Sequence, residues 1–368
     1  MMPPVPASTS SIKTLVALSG GVDSAVAALL LRRAGHDVEG LFMNNWEEDE
    51  EGYCTTAQDF QDARAVAREL GIPLHSVDLS AQYRERVFAN FLAEYRAGRT
   101  PNPDILCNRE IKFGDCLAHA LRLGAQCLAT GHYARIEQQA DGPALLKGRD
   151  PGKDQSYFLH AVRREQFRQV LMPLGDLHKA QVREIAREAG LPVFAKRDST
   201  GICFIGERPF REFLSQYVDT SPGPIETPEG TVIGEHQGLP FYTLGQRGGI
   251  HLGGQRGFAE APWYVAAKRP ERNVLVVVQG QDHPLLFTRT TYTGPVNWLV
   301  SPPALPFEAG VKLRYRQQDQ PATIIPQPDG SLRIEPLEPQ RAVTPGQSAV
   351  IYVEDRCLGG GVITQTDI

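Results

Sequence analysis

No run in these 368 residues approaches the ~20 apolar side chains that a membrane-spanning helix needs. No basic stretch followed by an apolar one opens the chain. Met1 to Ser11, rich in Pro and Ser, reads as a frayed tail rather than a targeting peptide, and the compartment expected is the cytoplasm. Six cysteines occur, at 54, 107, 116, 127, 203 and 357, but none forms Cys-x-x-Cys. Zinc is therefore poorly supported, and in a reducing cytosol each cysteine is either a packing residue or a reactive thiol. Positive charge is also short: 38 Lys and Arg against 43 Asp and Glu leave a net charge of −5. That argues against a general nucleic-acid binder, because the phosphate backbone rewards positive charge. It leaves room for a local basic face built from Arg96/Arg99, Arg109/Lys112, Arg163/Arg164, Lys196/Arg197 or Lys312/Arg314/Arg316. The acidic run Glu47 to Glu51 reads as a solvated loop. Repeats and low-complexity segments are missing too.

With 41% hydrophobic and 22% charged residues, the chain has ample core for two or three domains. The first half alternates. Strands are expected at Thr14–Leu18, Val38–Met43, Leu74–Leu79 and Cys127–Thr130. Helices are expected after Ser24, over Thr55–Leu70, over Gln82–Tyr95 and from about Arg109 to Leu123. Such alternation predicts an α/β fold with a parallel sheet covered on both faces. A hairpin turning at Asp141-Gly142 and a helix near Ala180–Ala189 follow. Beyond residue 208 a short helix (Pro209–Val218) leads into a Gly- and Pro-dense stretch. From Asn273 onward, short β runs suggest a small barrel or sandwich. The expected domains are 1–207, 208–272 and 273–368.

The stretch Ser19-Gly20-Gly21-Val22-Asp23-Ser24 lies between the first strand and an Ala/Leu-rich helix. Glycines at 20 and 21 can take φ > 0 and approach an anion closely. The first-turn N–H groups and the helix dipole then favour that anion. Ser19 and Ser24 add hydroxyls, and Asp23 is suited to holding a metal or orienting the loop. No lysine sits where Gly-x-x-x-x-Gly-Lys-[Ser/Thr] requires one, and the pattern is not Gly-x-Gly-x-x-Gly. The stretch resembles the SGGxDS loop of the PP-loop ATP pyrophosphatases, which split ATP between the α and β phosphates. Ligands of parallel sheets sit at the carboxyl ends of strands. Met43, Gly131 and His132 follow their strands in the same sense, so they are expected to line the same crevice, with Met43 against an adenine or in the core.

A second informative stretch is Gly98-Arg99-Thr100-Pro101-Asn102-Pro103-Asp104-Ile105-Leu106-Cys107-Asn108. If Asp104 opens a helical turn, its side chain and that of Cys107 face the same way. A cysteine at a helix N-terminus, near Arg109 and Lys112, has a stabilised thiolate. The other reading is a buried cysteine in a Pro-kinked loop. Cys203 lies in a polar, Gly-rich stretch, Asp198 to Gly206, that reads as a mobile functional loop. Cys203 also reads as an apolar packing residue between Ile202 and Phe204.

Nine motifs occur here in one order: Ser-Gly-Gly-Val-Asp-Ser, Gly-Leu-Phe-Met-x-Asn-Trp, Gly-Arg-Thr-Pro-Asn-Pro-Asp-x-x-Cys-Asn, Thr-Gly-His-Tyr, Lys-Asp-Gln-Ser-Tyr-Phe-Leu, Asp-Ser-Thr-Gly-Ile-Cys-Phe-Ile-Gly, Gly-Glu-His-Gln-Gly, Thr-Leu-Gly-Gln-Arg and Thr-Pro-Gly-Gln-Ser-Ala-Val. The ordered set resembles the tRNA-specific 2-thiouridylase family of bacteria and organelles, from about residue 12 to 365. The resemblance implies a PP-loop N-terminal domain, a small central domain and a C-terminal tRNA-binding β-barrel. It implies ATP, with Mg²⁺, on Ala17, Leu18, Ser19, Gly20, Gly21, Val22, Asp23 and Ser24, touched also by Met43 and Gly131. It implies adenylation of the C2 oxygen of the wobble uridine (U34), then sulfur transfer that leaves 2-thiouridine, AMP and pyrophosphate. Cys203 matches the family's persulfide carrier, loaded by a sulfur-relay protein or a cysteine desulfurase. Cys107 matches the nucleophile, and the two end as a disulfide. Asn102, Pro103 and Asp104 match target-base contacts, with Asp104 our candidate acid/base. His132, Lys153, Asp154, Gln155, Arg314, Tyr315 and Gln347 match other tRNA contacts. The tRNAs implied read Lys, Glu and Gln codons. Asn44 replaces a lysine of some relatives. Two alternatives differ in class: a PP-loop enzyme adenylating a small metabolite, which needs no paired cysteines, and an RNA-binding or sulfur-carrier protein, which needs no ATP loop.

Overall fold

The structure is a computed structural model and describes residues 11–46, 56–197, 209–255, 257–302 and 306–367. The acidic run Glu47–Glu51, Cys54 and the Asp198–Gly206 stretch with Cys203 lie outside the described residues. The chain divides into two compact units. The first takes in the described parts of Met1–Ala81, Glu110–Ser156 and Arg164–Phe204; the second takes in those of Gln82–Arg109, Tyr157–Arg163 and Ile205–Ile368.

The first unit is built on a five-stranded parallel sheet. Its strands are β1 (Lys13–Ala17), β2 (Asp37–Asn44), β3 (Leu74–Asp78), β4 (Cys127–Ala129) and β7 (Val170–Leu171), in spatial order β3-β2-β1-β4-β7. All four pairings are parallel, with Thr14 beside both Val38 and Cys127. The strand order reverses between β1 and β4. That reversal is the topological switch point, where the loops leaving the two strands part and open a crevice. Helix α1 (Val22–Arg33) buries Val22, Ala25, Val26, Ala27, Ala28, Leu29 and Leu31. A helix apolar on nearly every face belongs inside, and α1 shares one core with Val16 and Leu18 of β1 and its loop, Val66 and Leu70 of α2 (Thr56–Leu70), and Val182 and Ala186 of the helix Lys179–Glu188. The expected hairpin is present as β5 (Ala134–Gln139) and β6 (Gly142–Lys147), turning through Gly142 at φ +116°.

The second unit is mostly β. Strands β8 (Gly223–Glu226), β9 (Val232–His236), β10 (Trp263–Arg269) and β11 (Val274–Gln279) form a sheet ordered β10-β11-β8-β9. Strand β11 lies past the expected cut at residue 273, yet it pairs in register with both β8 and β10. Its alternate residues Leu275 and Val277 fill the same core as Ile225, Tyr242 and Trp263. Small strands β12 (Phe287–Thr288) and β18 (Gln340–Arg341) pair with each other. Strands β13 (Thr290–Thr293), β15 (Phe307–Lys312), β16 (Gln320–Pro326), β17 (Leu332–Pro336), β19 (Ser348–Val353) and β20 (Arg356–Asp367) pair in the cycle β13-β17-β16-β15-β19-β20-β13, joined by β14 (Asn297–Trp298) on β20. The cycle closes the barrel, so each of its six strands is paired on both sides. Its interior is Val311, Ala322, Ile324, Leu332, Ile334, Ala349, Ile351 and Ile363.

The helical stretch expected over Gln82–Tyr95 runs from Ser80 to Arg96 but widens over Arg84–Phe88 to π-type bonding. It packs on a helix at Phe210–Ser215 through Phe88 on Phe213 and Tyr95 on Phe210.

Candidate active site

The loop after β1 is shaped by two glycines that do different work. Gly20 sits at φ +74°, and a Cβ there would collide with the Asp59 carbonyl oxygen. Gly21 is extended, at φ −99° and ψ 163°, so only one of the expected positive-φ glycines has that conformation. Gly21 caps α1 without a side chain, which leaves the first-turn N–H groups unclaimed by a capping side chain. Ser24 braces the loop internally. Its hydroxyl donates to the Gly21 carbonyl at 3.1 Å and accepts the Ser19 N–H at 3.1 Å. Gly131, leaving β4, comes so close that a Cβ would stand 2.8 Å from Ser24 N. The two sides of the switch point therefore meet at this loop, and Met43, next to the last residue of β2, is half-buried.

Asp23 is not exposed alone. Both of its carboxylate oxygens accept from Lys179 Nζ, at 2.7 and 2.8 Å, and Oδ1 accepts the Tyr133 hydroxyl at 2.7 Å. On the other side of the loop, Lys196 Nζ donates to the Gly20 carbonyl at 3.1 Å and to Asp59 and Asp62 at 2.7 and 2.5 Å. Those acidic partners hold the Lys196 pKa above its usual value despite burial. Sequence reasoning missed both lysines as cradle residues. They sit 156 and 176 positions from the residues they bind, and no local pattern marks them.

His132 is buried, with Nδ1 2.8 Å from Thr130 Oγ1 and its ring 5.6 Å from that of Phe113. Burial, with help from Lys112, pushes its pKa well below the usual histidine value, so it is neutral. In the Lys153-Asp154-Gln155 run, Asp154 is buried and accepts from the N–H groups of Gly148 and Ser156 and from the Ser156 hydroxyl. Gln155 Oε1 accepts the Tyr133 N–H at 3.0 Å. These two side chains fasten a turn, and Lys153 is half-buried.

The second unit gathers the other group. Asn102 caps a helix at Pro103–Leu106: its side chain accepts from Asp104 N at 3.2 Å, and Pro103 takes the first helical position. Cys107 is therefore the fifth helical residue, past the first turn where the dipole acts, so the expected dipole-stabilised thiolate lacks that support. Asp104 and Cys107 do share a helix face. At Cys107 the helix widens into a π-type stretch, Cys107–Cys116, a feature frequent at functional sites. Cys107 is 1% exposed. Around it, Asn108 Nδ2 donates to Phe158 O at 3.1 Å, and the Phe158 ring lies 4.3 Å from that of Tyr315. The Tyr157 hydroxyl donates to Ser348 O at 2.9 Å. Gln347 Nε2 donates to Thr100 O at 2.8 Å, and Thr100 N donates to Pro345 O at 3.1 Å. Gly346, at φ +94°, would put a Cβ 2.9 Å from the Thr100 backbone. Two distant motifs, Lys153–Leu159 and Thr344–Val350, thus bond to the segment that carries Cys107. The Arg314 guanidinium is spent on the Leu244 and Ala342 carbonyls and the Thr344 hydroxyl. Burial, aided by Arg341, lowers its pKa.

The parallel sheet, its switch-point cradle and two β modules define a PP-loop protein of the HUP class. Family profiles match residues 12–207 as a "tRNA methyl transferase HUP domain", 211–279 as a "tRNA methyl transferase PRC-barrel domain" and 288–363 as an "aminomethyltransferase beta-barrel domain". The tRNA-specific 2-thiouridylase MnmA of Marinobacter nauticus is 55% identical over 368 residues, covering 98% of this chain and 93% of that protein. That of Cupriavidus metallidurans is 54% identical over 357 residues, covering 96% and 99%. The chain belongs to the tRNA-specific 2-thiouridylase family. Among solved structures, the U34-tRNA thiolase NcsA of Methanococcus maripaludis aligns with a TM-score of 0.35 at 19% identity, covering 56% of this chain and 63% of that one.

Proposed function

We propose that this chain replaces the C2 oxygen of the wobble uridine of tRNA with sulfur, at the expense of ATP. Near-full-length identity with 2-thiouridylases carries the reading. The profile descriptions contain the word methyl transferase, but a glycine cradle at a helix N-terminus suits a phosphate anion rather than a methyl-donating cation.

ATP rests on Ala17 to Ser24, with Met43 and Gly131 beside it. The uridine C2 oxygen attacks the α-phosphate and pyrophosphate leaves. A urea-like carbonyl is a poor electrophile, and AMP makes its oxygen a leaving group. Sulfur carried as a persulfide on Cys203 then reaches C2, AMP departs, and Cys107 closes a disulfide with Cys203 that a reductant reopens. Asp104, one helical turn before Cys107, serves as acid/base at the oxygen. Asn102 and Pro103 shape the base pocket; His132, Lys153, Asp154, Gln155, Arg314, Tyr315 and Gln347 form or brace the tRNA surface. His132, neutral and buried, and Asp154, Gln155 and Arg314, tied to backbone groups, act chiefly by holding that surface in shape. The wobble base must leave its stack to be reached.

Magnesium would neutralise the ATP phosphates. Among the described residues no three His, Cys, Asp or Glu side chains cluster to hold a metal. Asp23 is engaged by Lys179 and Tyr133. This donor set fits Mg²⁺ that arrives on the ATP phosphates and keeps several waters. The sulfur comes from a relay protein or a cysteine desulfurase, the tRNAs read Lys, Glu and Gln codons, and the work is cytoplasmic. The division of labour is a nucleotide domain over 1–207, a small central domain from 208, and a tRNA-binding barrel. Strand β11 works with the central domain.

The test is purified protein with ATP, Mg²⁺, a sulfur donor and unmodified tRNA, followed by nucleoside analysis. 2-Thiouridine at the wobble position is expected. A methylated nucleoside, or pyrophosphate release without RNA, would overturn the reading.

A further inference from the structure

The phosphate loop contains no lysine, yet the fold delivers one to it. Lys179 opens its helix, and its backbone N–H is pinned to Asp150 Oδ2 at 2.9 Å. Its side chain is 11% exposed and its ammonium rests on both oxygens of Asp23, inside the cradle sequence. Tyr133 completes the arrangement from the other side of the switch point. Its hydroxyl donates to Asp23 and its ring lies 5.8 Å from the ammonium. Asp23 stands in the first turn of α1, where the helix field attracts anions. A bare carboxylate there would compete with a phosphate for the same N–H groups and repel it. Lys179 cancels that charge and holds an ammonium within a few ångströms of the cradle.

We propose that Lys179, presented by Asp23 and Tyr133, is an ATP-contacting residue that binds the pyrophosphate portion of ATP. The proposal rests on the ATP reading above. The ammonium acts through its charge, not as a proton donor to the reaction. It binds the β and γ oxygens before the α–β bond breaks, and more tightly as negative charge gathers on the leaving pyrophosphate. Tyr133 is the last residue of the Thr-Gly-His-Tyr motif.

The experiment measures ATP and adenosine affinity of the full chain by calorimetry, for the parent and for Lys179→Met, Lys179→Arg and Tyr133→Phe. Lys179→Met is expected to weaken ATP by about 10- to 100-fold, the size of a lost charge-assisted bond, with adenosine unchanged. Lys179→Arg should restore part of the loss. Unchanged ATP affinity in Lys179→Met, or equal losses for ATP and adenosine, would overturn the proposal. If Lys179→Met does not fold, Tyr133→Phe decides, since it removes one hydroxyl and keeps the ring. A several-fold loss confined to ATP supports the proposal and no loss overturns it. Failure of the parent chain to bind ATP would instead remove the ATP reading itself, and this proposal with it.

Discussion

Cys107 and Cys203 carry the proposed sulfur chemistry, and tRNA binding does not depend on either thiol. Cys107→Ser and Cys203→Ser should each abolish thiolation while tRNA binding persists, and a gel-shift beside nucleoside analysis checks both halves. Wild-type thiolation by either variant removes the role assigned. Arg314 is a different case. Its guanidinium bonds to two carbonyls and a hydroxyl in a half-buried setting, so Arg314→Ala should cost stability, by about 1–3 kcal/mol for stranded partners, as well as weakening tRNA binding. If only the salt dependence of tRNA binding changes and the melting temperature does not, Arg314 is a phosphate contact and not a brace. His160 is buried, and among the described residues neither ring nitrogen has a hydrogen-bond partner. Burial, with a contribution from Arg109, pushes its pKa down to about 3. The unfolded chain, with His near 6.5, then binds a proton that the folded chain refuses. Stability is therefore full above pH 6.5 and falls as pH drops toward 3, by up to about 1.4 kcal/mol per pH unit. Denaturant melts of His160→Phe between pH 4 and 7 should show a shallower slope than the parent.

Elements meet through glycines with no room for a side chain. Gly20 is pressed on the first turns of α2, and Gly346 on the backbone of Thr100. Gly346 also sits at φ +94°, where an L side chain is strained. Gly346→Ala should push the Thr100 segment off the barrel loop, losing the Gln347–Thr100 bond and most thiolation, with ATP affinity retained. Isothermal titration beside the thiolation assay separates the two. Gly20→Ala should do the reverse and remove ATP binding first. The helix carrying Cys107 was expected only from about Arg109, with a turn at Asp104 left conditional, and it starts sooner, at Pro103. Its start at Pro103 follows from local chemistry, an Asn cap and a proline at the first position. The widening at Cys107 does not, because a π-type stretch has no composition of its own.

Across the whole molecule, a net charge of −5 means that RNA affinity depends on local surfaces, so binding should fall steeply with salt yet keep a finite slope. Pyrophosphate release should require tRNA. Release at full rate without RNA would favour a small metabolite as the adenylated substrate. The parallel sheet, the place of the cradle after β1 and the β-rich second half were readable from hydrophobic period and glycine spacing, because strand and helix periodicity are local properties. The pairing of β11 with β8 was not, because a strand's partner is chosen by packing rather than by its own residues.

The amino-acid sequence alone thus determined the class of fold, the phosphate loop and the ordered motifs, since each rests on neighbours a few positions apart. Tertiary structure alone decided which distant residues complete them. Lys179 and Tyr133 reach Asp23 across 156 and 110 positions, and Gln347 reaches Thr100 across 247. Those meetings are set by how sheets and helices stack to bury their apolar faces, and the residues brought together carry no mark of it in their own surroundings.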